Sequence, residues 1–160
     1  MDPRRKTYPD DHWLKSHDPE KALGAYLEQQ DKAYSRVKNN FIRELLGDLE
    51  GKRVMDYGCG AGFFSVYAAQ AGAAKVVGID AEDSVLATAS HFARLKGVQD
   101  VCSFVQSDRF PSFLGRDVFD VVLMKDVIEH VPDDQVLLHA AAAALVPSGK
   151  IVLSTQNAFS

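Results

Sequence analysis

From Gly51 onward, short apolar runs alternate with longer segments of helical spacing, and turn residues mark the junctions. "RVMDY" (Arg53–Tyr57), "KVVGID" (Lys75–Asp80), "VCSFV" (Val101–Val105), "DVVLMK" (Asp120–Lys125) and "KIVLST" (Lys150–Thr155) are apolar nearly throughout, which predicts strands covered on both faces. Residues 63–72, 82–97 and 133–145 read as the helices between them. The first ends at Gly72. The second has acids in its first turn, Arg94 and Lys96 in its last, and Gly97 as its cap. This alternation predicts an α/β fold, a doubly wound and mostly parallel sheet joined by right-handed crossovers.

Before Gly51 the pattern differs. Residues 1–18 are polar, contain Pro3 and Pro9 and show no periodicity, so they read as a flexible tail or flap. Asp18 and Pro19 open a helix as cap and first residue, with Glu20 in its first turn. A second helix sets Val37, Phe41, Ile42, Leu45, Leu46 and Leu49 on one face and ends near Gly51. The expected division is tail 1–18, N-terminal helices 19–51 and ligand-binding core 52–160. The aromatic residues Tyr8, Trp13, Tyr26 and Tyr34 either line a flap over a substrate or pack as core.

Composition narrows the classes. A chain of 160 residues, 46% hydrophobic and 25% charged, is one ordinary globular domain. A net charge of -4, with no basic run longer than "RRK" at Arg4–Lys6, argues against a nucleic-acid partner. No run approaches the roughly 20 apolar residues of a membrane helix. The start lacks the apolar core of a secretory signal. Cys59 and Cys102 are placed as reduced thiols, not as a disulfide framework, and the expected location is cytoplasmic.

The candidate chemistry lies in "VMDYGCGAGFF", Val54–Phe64, where Gly58, Gly60 and Gly62 follow the first strand. In an open parallel sheet, ligands sit beyond the carboxyl ends of the strands, where strand order reverses. A Cβ at these glycines would hold a ligand off the backbone or bar a left-handed turn. Dinucleotide loops need a third glycine at the position held here by Phe63. Asp56, two residues before the loop, suits a ligand carrying an amino or sulfonium group and repels a pyrophosphate. Asp80 ends the second strand, placed to accept from the vicinal hydroxyls of a ribose. Asp108 follows the third strand, placed to accept from an exocyclic amine of adenine. A tight turn without a ligand, a helix-capping acid and a solvated turn acid are the plain readings of these same residues.

In order, "VMDYGCGAG", "VVGID", "VQSD", "FDVVLMKDVIEHV" and "LVPSGKIVLS" resemble the successive motifs of class I S-adenosylmethionine-dependent methyltransferases, over about Lys52–Thr155. The resemblance implies a Rossmann-like fold, S-adenosyl-L-methionine as cofactor and S-adenosyl-L-homocysteine as product. It implies a cofactor-binding set of Asp56, Tyr57, Gly58, Cys59, Gly60, Gly62, Phe63, Asp80, Ala81, Asp108, Arg109 and Lys125. "SDRF" departs from the commoner form of its motif at Arg109 and Phe110.

Lys125 and Asp126 end the fourth strand, facing the transferred methyl group. His130, just beyond, is the candidate base, because imidazole as a residue type suits proton transfer near neutral pH; a hydrogen-bonded structural histidine is the alternative. Asp126, Glu129 and His130 also resemble the E-x-x-E-H set of ubiquinone-biosynthesis O-methyltransferases and small-RNA 2′-O-methyltransferases, a minority reading as a metal site. The expected reaction is methyl transfer to an oxygen or nitrogen of a small-molecule acceptor. RNA 2′-O-methylation, a non-catalytic cofactor-binding domain and a nicotinamide oxidoreductase are the rivals. The family's sheet has two strands more than the pattern supplies here. A fragment with weak cofactor binding, little turnover and a fifth strand open to self-association is therefore expected.

Overall fold

Strands β1 (Arg53–Tyr57), β2 (Lys75–Asp80), β3 (Cys102–Gln106), β4 (Phe119–Lys125) and β5 (Leu145–Ser154) pair in parallel, in the order β3-β2-β1-β4-β5. They belong to a computed structural model that describes residues 12–110, 115–116 and 118–155. Helices α1 (Pro19–Asp31), α2 (Ala33–Leu46), α3 (Phe63–Gln70), α4 (Asp83–Leu95) and α5 (Asp134–Ala144) complete it, with single helical turns at Trp13–Lys15 and Ile128–His130. This is the parallel α/β architecture expected from the alternation of the sequence, and it is Rossmann-like, as the resemblance implied.

Side chains on successive strand residues point to opposite faces, which divides the core in two. On one face Val54, Val76, Val121, Leu123 and Val152 pack under Phe64 and Ala68 of α3 and Ile42 and Leu46 of α2. On the other, Met55, Val77, Ile79, Val122 and Met124 pack against Leu137, Ala141 and Ala144 of α5. Asp56 shares the first face with Val54, which aims its carboxylate at α3. That parity, set by the sequence alone, decides where the acid goes.

The ends of the elements follow local chemistry. The Asp18 side chain accepts from the amides of Glu20 and Lys21 and opens α1 as expected. Asp133 caps α5 by accepting from Val136 N. Strand β5 begins at Leu145, earlier than the "KIVLST" reading. Leu145 pairs with Phe119, and the next partners are Val121 and Lys150, so the intervening "VPSG" bulges from the ladder. Pro147, lacking an N–H, suits that bulge.

Helix α2 departs from expectation. It stops at Leu46, with Gly47 at φ 61° as its left-handed cap, instead of running to Gly51. Of the six apolar residues assigned to one face, Ile42, Leu46 and Leu49 are buried, whereas Val37, Phe41 and Leu45 are exposed. On α2 itself, burial reaches Ile42 and Leu46 and not the flanking Val37, Phe41 and Leu45, while Leu49 lies beyond the helix end. Lys150 of β5 donates to the carbonyls of Leu45 and Leu46 at 2.9 and 2.8 Å, tying the free end of α2 to the sheet. Arg43 adds a second tie, its guanidinium over the rings of Phe63 and Tyr67 at 5.4 and 4.9 Å. Among the described residues no helix is long and apolar enough to cross a membrane.

Candidate functional site

Strand β1 is followed in the chain by β2 on one side and flanked by β4 on the other, so strand order reverses between β1 and β4. The loop Gly58–Gly62 leaves β1 at that reversal, the place where ligands of such sheets sit. Its three glycines have φ values of 76°, 52° and 82°, all in the left-handed region that disfavours other residues. Space supplies a separate reason at each. A Cβ on Gly58 would stand 2.3 Å from Cγ2 of Val127, and one on Gly62 would stand 2.9 Å from Cβ of Ala89. At Gly60 the nearest atom to such a Cβ is the Tyr26 hydroxyl, 4.0 Å away. Two glycines therefore let β4's exit and α4 close in; the middle one keeps a space open.

The loop is pinned by backbone bonds. The amides of Gly58 and Cys59 donate to the Ile79 carbonyl at 2.7 and 2.9 Å, and the Gly60 amide donates to Oδ2 of Asp80 at 2.9 Å. Oδ1 of Asp80 accepts from the amide of Glu82 at 3.1 Å. A carboxylate offers about four acceptor positions. These bonds leave Asp80 free to accept from two vicinal hydroxyls. Burial raises its pKa, while the amides of Glu82 and Gly60 oppose the rise.

Asp56 is 3% exposed, and its Oδ2 accepts from the Ser65 hydroxyl at 2.7 Å, in the first turn of α3. Burial pushes its pKa up to about 6, against the Ser65 hydrogen bond and the charge of Lys125. A buried carboxylate at such a pKa favours a cationic neighbour. Asp108 and Arg109 lie beyond β3 and are exposed, 3.7 Å apart. Phe110 turns inward and packs on Tyr57, ring centroids 5.4 Å apart, forming an aromatic wall on the α5 side of β1. Ala81 accepts from the Gln106 side chain at 3.1 Å, and Phe63 opens α3. An open space at Gly60, free acceptor capacity on Asp80 and a buried acid at Asp56 fit an amino-acid-bearing nucleoside such as S-adenosylmethionine.

The end of β4 carries the charge cluster that the sequence reading singled out, and one partner that it missed. Asp126 has φ 56°, left-handed without being glycine, and its amide donates to the Ser154 carbonyl at 2.7 Å. Its Oδ2 accepts from Lys125 at 3.1 Å and its Oδ1 from Lys38 of α2. Burial works against this carboxylate, yet Lys38 and Lys125 hold its pKa below the ordinary value. Glu129 turns elsewhere, its Oε2 accepting from Thr155 at 3.0 Å. His130 is exposed in the turn that follows. Asp126 is thus engaged on both oxygens, and no group of three metal-ligating side chains assembles among the described residues. The Asp126, Glu129 and His130 set is not brought together as a metal centre.

Lys38 lies 88 residues from Asp126 in the chain, and nothing local in the sequence marks it. Of the candidate flap aromatics, Trp13 and Tyr26 pack in a tilted arrangement with centroids 4.8 Å apart; Tyr34 is exposed on α2, and Tyr8 lies outside the described residues. Cys59 is buried in the loop; burial, Asp56 and Asp80 push its thiol pKa well up, so it is no nucleophile.

Residues 48–159 match the family described as a methyltransferase domain. The ubiquinone biosynthesis O-methyltransferase of Bordetella avium is 35% identical over 125 residues, which is 78% of this chain and 51% of that protein. Its counterpart in Neisseria meningitidis serogroup C is 39% identical over 115 residues, covering 69% of this chain and 46% of its own length. The chain thus spans about half the length of these curated relatives. The crystal structure of an S-adenosylmethionine dependent methyltransferase from Mesorhizobium loti superposes with a TM-score of 0.66 at 30% identity, over 74% of this chain and 53% of that one. The glycine loop, the acids at successive strand ends and these likenesses agree: the chain belongs to the class I S-adenosylmethionine-dependent methyltransferases.

Proposed function

We propose that the chain serves methyl transfer from S-adenosylmethionine to an oxygen of a small-molecule acceptor. The observation that carries this reading is the convergence at one sheet edge of the glycine loop, Asp80 and the Lys125–His130 segment. The two O-methyltransferase relatives favour oxygen over nitrogen as the accepting atom. The acidic net charge of -4 favours a small molecule over RNA.

When bound, the cofactor supplies an electrophilic sulfonium methyl group, open to in-line attack by the acceptor. Asp80 would hold the ribose hydroxyls and Asp56 the cationic end of the cofactor. Much of the rate of such a displacement comes from holding the reactants in line. Burial of the loop keeps water from competing. A hydroxyl acceptor must lose its proton, and His130, exposed beside the β4 exit, would take it.

The test supplies methyl-labelled S-adenosylmethionine with a panel of small phenols, alcohols and amines, using the chain and its His130→Gln variant. Label on hydroxyl acceptors, reduced about 100-fold in the variant, is expected. Label on amines alone overturns the oxygen reading.

A further inference from the structure

The N-terminal helices stand outside the matched family domain, which begins at residue 48, yet one of their side chains reaches the glycine loop. The Tyr26 hydroxyl, carried by α1, is the atom nearest the space above Gly60. The backbone amide of Phe63, at the start of α3, works against the rise in its pKa that burial causes. Among the described residues, none takes the hydroxyl's proton. Burial raises the phenol pKa, and the charges of Asp56, Cys59 and Asp80 add to that rise, so the group stays neutral and is a donor.

Its placement is built, not incidental. Trp13 packs against the Tyr26 ring in a tilted arrangement, centroids 4.8 Å apart, and the Trp13 indole N–H donates to Gln29, one turn further along α1, at 3.1 Å. Trp13 and Leu14 pack on Cys59, Val85 and Leu86, and the Ser84 hydroxyl donates to the Leu14 carbonyl at 3.0 Å. The turn Trp13–Lys15 therefore bridges α4 and α1 and holds the tyrosine over the loop.

We infer that Tyr26 is a cofactor-binding residue, its hydroxyl donating to the carboxylate of the cofactor's amino-acid end in the space that Gly60 leaves open. The chemistry divides the zwitterion between two groups. Asp56 suits the ammonium, while a neutral phenol donor suits the carboxylate, which the acids nearby would otherwise repel. This rests on the cofactor site described above.

Trp13 is the chain's single tryptophan, so its fluorescence reports on this place directly. The experiment titrates the chain and its Tyr26→Phe variant with S-adenosylhomocysteine and with 5′-methylthioadenosine, which lacks the amino-acid end. Tyr26→Phe keeps the ring that packs on Trp13 and removes only the donor. Expected are a saturable change in Trp13 emission, an affinity for S-adenosylhomocysteine about tenfold lower in the variant, and unchanged affinity for 5′-methylthioadenosine. Equal affinities of the two proteins for S-adenosylhomocysteine overturn the inference alone. So does an equal loss for both ligands, which marks a structural role. Failure of the parent chain to bind S-adenosylhomocysteine overturns the site reading and this inference with it.

Discussion

The Gly60 amide donates to Oδ2 of Asp80 across 2.9 Å, joining the middle of the glycine loop to the end of the neighbouring strand. One carboxylate thereby shapes the loop and, in the proposed function, would also hold the ribose. Asp80→Ala is expected to lower stability by about 1–3 kcal/mol, because the Gly60 and Glu82 amides lose their acceptor. Affinity for S-adenosylhomocysteine should fall on the order of 100-fold, the worth of two hydrogen bonds to a charged group. Calorimetric titration beside a urea melt separates the two effects; unchanged affinity in a folded variant refutes the ribose role.

Asp56 makes stability depend on pH in an unusual direction. Its pKa rises on folding from 3.8 to about 6, so the folded chain binds more protons than the unfolded one between those values. Stability must then fall as pH rises through that window, by about 2–3 kcal/mol for this group. Asp80, also raised, acts in the same direction. Asp56→Asn should flatten much of the decline in urea melts from pH 4 to pH 7. A variant with the parent's profile would show that Asp56 is not the titrating group. A bound cation favours the charged form, so cofactor affinity in the parent should rise across the same window.

Lys38 anchors α2 to the β4 exit through Asp126. Lys38→Met should cost about 1–2 kcal/mol at pH 7, less than a fully buried pair because Lys125 still faces the carboxylate. The Asp126 pKa is depressed, so the pair contributes fully above the ordinary carboxylate pKa and is lost as pH falls through the folded value. The difference between parent and variant should therefore shrink near pH 3. A difference that persists there would assign the effect to packing of the lysine stem.

Gly58 faces two obstacles to substitution, its φ of 76° and the methyl group of Val127 at 2.3 Å from a new Cβ. Gly58→Ala is expected to destabilise by about 2–4 kcal/mol, combining backbone strain and overpacking. Adding Val127→Ala should recover the second part and leave the first. No recovery in thermal melts of the double variant would mean that backbone conformation alone demands this glycine.

Much of the architecture is local information, legible before any contact is known. Asp18 and Asp133 cap their helices with their own side chains, and the limits of β1 and β2 follow from apolar runs ended by Gly and Asp. Asp56 was legible as a candidate site acid because it stands two residues before a loop of special φ; alternation along β1 then aims it at α3. What the sequence could not show about Asp56 is Ser65, which makes part of its role the tethering of that helix.

Helix α2 marks the limit of pattern reading. Five of the six apolar positions lie on α2 and the sixth, Leu49, beyond its end; periodicity gives only a helical arc and not the width of the surface waiting for it. Docking on β5 and α3 buried Ile42 and Leu46 and left Val37 and Phe41 outside.

By itself, then, the sequence determined the order of elements, the Asp18 cap of α1, the left-handed loop and the acids at successive strand ends, all set by torsions and hydrogen bonds within a few residues. Tertiary structure decided which distant groups meet at the β4 exit and over the glycine loop. Lys38 meets Asp126 across 88 positions, and Tyr26 stands over Gly60 only because the Trp13 turn packs on α4. Such encounters depend on how helices dock, a balance of burial over whole faces that no short stretch of residues encodes.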